Sequence, residues 1–207
     1  AKYGDLIIGL FTDKAIATHK RLPYLTYDQR KKVVESITGV SQVVPQDEWS
    51  YVPNLLKYKP DYIIHGDDWK DNKEKTLRDE VFKAMEQIGG KVIEIPYTYG
   101  IDSSSLAKEI DALGTTPEAR MKKLRRLINA KPIVRIMESH CGLTGLIIEN
   151  LNVEINGENR QFDGMWSSSL TDSTSKGKPD IEAVDLTNRL HDLNDTLEVT
   201  TKPVIFD

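Results

Sequence analysis

Short apolar runs alternate with longer amphipathic segments along the chain. Residues 6–11, 42–44, 62–65, 91–95, 133–137, 162–166 and 203–206 have the length and apolar content of strands. Residues 26–37, 49–57, 72–88, 103–113, 117–130, 144–151 and 181–198 predict helices. In 26–37 the side chains of Val33, Val34 and Ile37 fall at helical spacing, and Thr26 supplies a cap. The alternation predicts an α/β fold with parallel strands joined by helical crossovers. The first half carries enough strands for one open sheet. The second half reads as strand–helix units in series, like the opening of a (β/α)8 barrel.

The patterning places a boundary in the Gly114-Thr115-Thr116-Pro117 stretch, giving units 1–113 and 114–207. The basic run Arg120 to Leu127 reads as the solvated face of a helix. The Ser/Thr-rich stretch 167–175 reads as a loop, either a linker or an active-site loop at the carboxyl end of a strand. The run 6–11 follows a helix-tail-like opening and reads as a buried strand, and 203–207 ends on another. We therefore expect further chain on both sides.

Composition narrows the class. The chain has 207 residues, 39% hydrophobic and 29% charged, with a net charge of -4. That is ordinary globular material, and without a basic block no nucleic-acid partner is expected. Cys141 is the only cysteine, so no internal disulfide is possible, which fits a reducing, cytoplasmic setting. No apolar run approaches a membrane span, and no signal peptide opens the chain.

Candidate chemistry in the first half sits at strand ends. Thr12 and Asp13 follow the first strand, and His19-Lys20-Arg21 makes a basic loop suited to polyphosphate. Arg30, in Tyr27-Asp28-Gln29-Arg30, offers a planar fork for phosphate or a surface ion pair. His65-Gly66-Asp67-Asp68-Trp69 follows a strand and offers adjacent carboxylates for ribose or base, or a helix-capping turn. Tyr97-Thr98-Tyr99-Gly100-Ile101-Asp102-Ser103-Ser104 leads into a helix start that suits an anion. In this order the motifs resemble nucleotidyltransferases of the glycerol-3-phosphate cytidylyltransferase type, over roughly residues 5–110. The resemblance implies a Rossmann-like sheet binding CTP. It implies that Arg21 and Arg30 face the nucleotide phosphates, that Thr12 belongs to the nucleotide site, that Asp67 and Asp68 line its pocket, and that Ser103 and Ser104 lie at the phosphate-facing helix start. Tyr97 stands where that family has arginine, and no His-x-Gly-His motif occurs. We expect that motif and its strand before Ala1, and a damaged nucleotide site in this chain.

In the second half, Trp166 offers a wall for a planar substrate. Ser168, Ser169 and Leu170 present N–H groups and hydroxyls to a carboxylate or phosphonate. Asp180 follows Gly177-Lys178-Pro179, and Asp207 ends the last strand as a candidate Mg²⁺ ligand. Trp166 equally suits a core, Asp180 a helix cap, and Asp207 a strand end. Trp-Ser-Ser-Ser-Leu-Thr-Asp-Ser, then Gly-Lys-Pro-Asp, then Thr-Thr-Lys-Pro-Val-Ile-Phe-Asp resembles the phosphoenolpyruvate mutase branch of the isocitrate lyase superfamily, over about 117–207. The resemblance implies Mg²⁺-dependent interconversion of phosphoenolpyruvate and phosphonopyruvate. Trp166, Ser168, Ser169 and Leu170 would hold substrate, Asp180 would sit with Ser168 beside the transferring group, and Asp207 would begin the metal site. The rest of the metal motif and the lid would follow Asp207.

Joined, these resemblances imply phosphonate biosynthesis, with CTP activating a phosphonate, in a homo-oligomeric parent protein. The alternatives are a phosphonopyruvate hydrolase, a C–C lyase, or a non-catalytic nucleotide-binding or interaction fragment.

Overall fold

The computed structural model describes residues 4–70, 75–96, 117–155 and 158–207. The chain forms two compact units, Ala1–Ile101 and Asp102–Asp207.

Unit 1 runs β1 (Leu6–Phe11), α1 (Asp13–Ala17), α2 (Tyr27–Glu35), β2 (Val40–Gln46), α3 (Val52–Tyr58), β3 (Tyr62–Gly66), a 3₁₀ turn (Asp67–Lys70), α4 (Lys75–Ile88) and β4 (Lys91–Ile95). Thr26 caps α2 as its sequence predicts. Gln29 returns the bond to the Thr26 N–H, closing a capping box. α3 starts at Val52, later than the predicted 49, and ends where Lys59 takes a left-handed conformation at φ 46°.

Among the described residues the strands form two parallel pairs, β1–β2 and β3–β4. Among the described residues β1 pairs with β2 alone, and the apolar run Leu6–Phe11 holds no fully buried residue, contrary to its reading as a buried strand. The core lies instead between α3, α4 and the β3–β4 pair. It comprises Leu55, Trp69, Val81, Ala84 and Met85, with Ile63 and Val92 packed against it.

Unit 2 runs α5 (Pro117–Ala130), β5 (Ile136–Glu138), α6 (Gly142–Asn150), β6 (Val153–Ile155), β7 (Glu158–Arg160), β8 (Gly164–Ser167), α7 (Ser169–Ser175), α8 (Leu186–Glu198) and β9 (Val204–Phe206). A parallel sheet of order β5–β8–β9 makes its centre, and β6–β7 form an antiparallel hairpin that the apolar pattern did not mark. β5 begins at 136 instead of 133 because Asp163 intervenes. Its carboxylate accepts from Lys131 Nζ at 2.6 Å and from the Arg135 N–H at 2.8 Å. Gly164 opens the central strand at a point where a Cβ would lie 2.8 Å from Ile136 Cδ1 and 2.9 Å from the Pro203 carbonyl. Only a residue without a side chain lets both neighbours close on it.

The Ser/Thr-rich stretch is a helix, Ser169–Ser175, and not a loop. Two long-range contacts hold it there: Asp172 is fully buried against Arg189 of α8, and the Ser169 N–H donates to Asp207. α8 starts at Leu186, not 181, because Asp185 is the cap, accepting from the Asn188 N–H at 3.1 Å. Among the described residues no helix is long and apolar enough to cross a membrane.

Candidate functional site

In unit 1 the motif residues gather at the carboxyl ends of β1, β2 and β3, where parallel α/β sheets present ligand-binding loops. Thr12 leaves β1 with its N–H on the Gln46 carbonyl at 3.0 Å, and its hydroxyl caps α1 by accepting from the Ala15 N–H at 3.3 Å. The predicted nucleotide contact is thus a helix cap in this structure.

Arg30 reaches back from α2 to the same strand end. Its Nη1 donates to the Phe11 carbonyl and its Nη2 to Asp13 Oδ1, both at 2.8 Å. Two edges of the guanidinium are thereby spent on the protein. Its Nε is buried and has no hydrogen-bond partner among the described residues. The Gln46 amide nitrogen, opposite Phe11 in the β1–β2 register, is buried and unpartnered in the same way. Buried donors are ordinarily paired, and an unpaired one asks for an acceptor. The sequence did not mark Gln46, whose strand position reads only as one of two faces.

An aromatic chain links this strand end to the next. The Trp49 ring stacks on Phe11 at 4.9 Å and on His19 at 4.4 Å, with Lys20 over its face at 5.3 Å. The basic loop 19–21 is therefore anchored on an aromatic surface, and Arg21 lies half-buried in it. Tyr51 follows, 5.9 Å from Phe11 and 5.6 Å from His65, with its hydroxyl 3.2 Å from His65 Nε2. His65 lies flat on Trp69 at 3.8 Å.

Asp67 and Asp68 sit half-buried on the turn directly after β3, between His65 and Trp69. Trp69 is fully buried and donates its indole N–H to Glu94 Oε1 at 2.8 Å. Arg78 of α4 adds Nε to Oε1 at 2.8 Å, and Lys70 lies 3.2 Å from Oε2. The Arg78 hydrogen bond, followed by those of Trp69 and Lys70, holds the Glu94 carboxyl down to about 2 against the opposing effect of burial. A carboxyl depressed in the folded state stabilises fully above its unfolded value of about 4.5, and that stability drains away as pH falls toward 2. Glu94→Gln is expected to flatten the acid unfolding curve in this window, by an amount of order 1–3 kcal/mol. Urea unfolding at a series of pH values reads this directly. Equal slopes in both proteins would show that the carboxylate gains nothing from its partners.

Ser103, Ser104 and Tyr97 lie outside the described residues.

In unit 2 the predicted residues meet only in part. Ser168 is buried at the cap position of α7, and Ser169 and Asp207 are joined, the Ser169 N–H donating to Asp207 Oδ1 at 2.7 Å. Arg189 adds its Nη2 at 3.5 Å from the same oxygen, its Nε resting 2.9 Å from Asp172 Oδ2. Trp166 and Leu170 are exposed, at 41% and 58%, so neither is a core residue. Asp180 is exposed on the turn before α8, where it neither caps that helix nor bonds to Ser168, Ser169 or Asp207. Asp172 and Arg189 went unnoticed in the sequence because their pairing spans two helices.

Among the described residues no three His, Cys, Asp or Glu side chains cluster as a metal site. One oxygen of Asp207 is committed to the Ser169 N–H and lies near Arg189 Nη2.

Residues 1–110 match the family model for cytidylyltransferase-like proteins, and residues 124–207 match that for phosphoenolpyruvate phosphomutase. A glycerol-3-phosphate cytidylyltransferase of Bacillus spizizenii is 30% identical over 112 residues, covering 53% of this chain and 79% of the relative. An ethanolamine-phosphate cytidylyltransferase of Mus musculus is 39% identical over 107 residues, 50% of this chain and 25% of the relative. An FAD synthase of Ferroglobus placidus is 30% identical over 121 residues, 58% of this chain and 78% of the relative.

Proposed function

We propose, for a chain that belongs to the cytidylyltransferase-like family, that unit 1 binds CTP at the carboxyl ends of β1 and β3. The observation that carries this reading is the pair of buried donors, Arg30 Nε and the Gln46 amide, that have no partner among the described residues at one strand end. Triphosphate oxygens are strong acceptors, and donors held in advance lose little freedom on meeting them. Asp67 and Asp68, one strand further on, suit the ribose hydroxyls.

The matched phosphomutase segment extends the proposal to the whole protein. A mutase barrel would cleave the O–P bond of phosphoenolpyruvate and form a C–P bond at C3, leaving the keto group of phosphonopyruvate. A phosphonate oxygen derived from that product would then attack the α-phosphorus of CTP and expel pyrophosphate. In unit 2 the Ser169 N–H and Arg189 would receive an anionic substrate group in exchange for the Asp207 carboxylate. One carboxylate is what a Mg²⁺ site would draw from these residues, since octahedral Mg²⁺ keeps waters and substrate oxygens. The metal would supply charge neutralisation at the phosphorus.

Titration calorimetry of the chain with CTP and GTP tests the first step; CTP binding at least tenfold tighter is expected. Mixing with phosphonopyruvate and Mg²⁺, followed by phosphorus NMR, tests the second. Phosphoenolpyruvate that disappears with Asp180→Ala supports the mutase, whereas pyruvate and phosphate assign a hydrolase.

A further inference from the structure

The β3–β4 register places His65 opposite Glu94, so the two side chains leave the same face of the pair. Both then close on one indole. His65 covers the ring face of Trp69 at 3.8 Å, and Glu94 takes the ring N–H at 2.8 Å. Trp69 belongs to the four-residue turn Asp67–Lys70, and Lys70, the last residue of that turn, is also drawn to Glu94. A four-residue 3₁₀ turn has little hydrogen bonding of its own. Its geometry therefore depends on what grips its side chains. Arg78 approaches Glu94 from α4, with Nε 2.8 Å from Oε1 and Nη2 3.3 Å from Oε2.

We propose that Glu94 is a positioning residue for the nucleotide pocket. By holding Trp69 and Lys70 it fixes the turn that presents Asp67 and Asp68. The inference rests on the reading of unit 1 as a nucleotide site. A plain structural ion pair between Glu94 and Arg78 makes a different prediction, because there the two residues matter equally.

The test compares Glu94→Ala, Glu94→Gln and Arg78→Met in the full chain, with CTP as probe. Misplacing a binding group by a fraction of an ångström to an ångström costs about ten- to a hundredfold. Glu94→Ala is expected to weaken CTP by that factor. Glu94→Gln, whose amide oxygen still accepts from the indole, should fall between. Arg78→Met, which leaves Trp69 and Lys70 on Glu94, should stay within about twofold of the unsubstituted chain. Amide exchange across residues 67–70 should quicken in the same order, and the Trp69 indole proton should move upfield in Glu94→Ala alone. Equal CTP losses for Glu94→Ala and Arg78→Met, or unchanged exchange at 67–70 in Glu94→Ala, would overturn the positioning role. Failure of the unsubstituted chain to bind CTP would overturn the nucleotide reading and with it the pocket role. The exchange data would then still report whether Glu94 holds the turn.

Discussion

Arg189→Met is expected to lower the stability of unit 2 by about 3–5 kcal/mol, the usual cost of stranding a buried charge. Asp172 has no exposed surface, its Oδ1 has no partner among the described residues, and its Oδ2 rests on Arg189 Nε at 2.9 Å. Removing the guanidinium leaves a buried carboxylate without the partner that offsets its lost hydration. It also uncovers the Phe206 ring, over which Arg189 lies at 4.5 Å, and leaves Asp207 on the Ser169 N–H. The double variant Asp172→Asn with Arg189→Met should recover most of the loss, because exchanging both members of a buried pair for neutral groups is often close to neutral. Trp166 is the only tryptophan in unit 2, at the strand end beside this network, so urea unfolding followed by its fluorescence reports on the right region. A single variant as stable as the parent would mean that water or a proton already compensates Asp172.

That network also shows where the sequence stops being legible. Strands 6–11 and 91–95 and helix 117–130 are found at their predicted limits, because apolar runs and helical spacing are local signals. Thr26 is equally local: a cap and its Gln29 partner lie three residues apart. Serine and threonine, by contrast, compete with the helical backbone for hydrogen bonds and argue against a helix at 169–175. Asp172 overrides that preference through Arg189, a partner seventeen positions away that no window of a few residues contains.

Lys202 is a similar case. In Thr200-Thr201-Lys202-Pro203 it reads as the polar approach to a strand, yet it is 1% exposed. Its ammonium donates to the carbonyls of Ile148 at 2.7 Å and Glu149 at 3.1 Å, in the last turn of α6. Helix ends leave carbonyls unpaired, and a buried cation there satisfies both hydrogen bonding and the helix dipole. Glu94 was hidden by alternation, since a charged residue in Lys-Val-Ile-Glu-Ile reads as solvent-facing. Its burial follows from the indole and guanidinium that the fold brings to it. The motif residues were visible as chemistry, but their partners were not. Arg30 was marked for phosphate, and the structure gives two of its edges to Phe11 and Asp13.

Arg30→Lys is accordingly expected to separate two roles that the wild-type side chain combines. The guanidinium closes the end of β1 through the Phe11 carbonyl and Asp13, both at 2.8 Å, and still holds Nε in reserve. An ammonium is a compact charge without the planar fork, and it cannot reproduce three directed contacts at once. Loss of one neutral acceptor contact and a weakened ion pair should cost about 1–2 kcal/mol of stability in unit 1. If a phosphate oxygen takes Nε, a charge-assisted bond worth about 1.5–3 kcal/mol is lost as well, and CTP affinity should fall by roughly ten- to a hundredfold. Asp13→Asn serves as the counterpart. It weakens the ion pair while leaving the guanidinium intact, so it should lower stability by a comparable amount and spare most of the CTP affinity. Calorimetry with CTP and urea unfolding on both variants gives the two axes. Stability and affinity falling together in both proteins would make Arg30 a brace for the strand end. A selective loss of CTP in Arg30→Lys would place the buried Nε against the triphosphate.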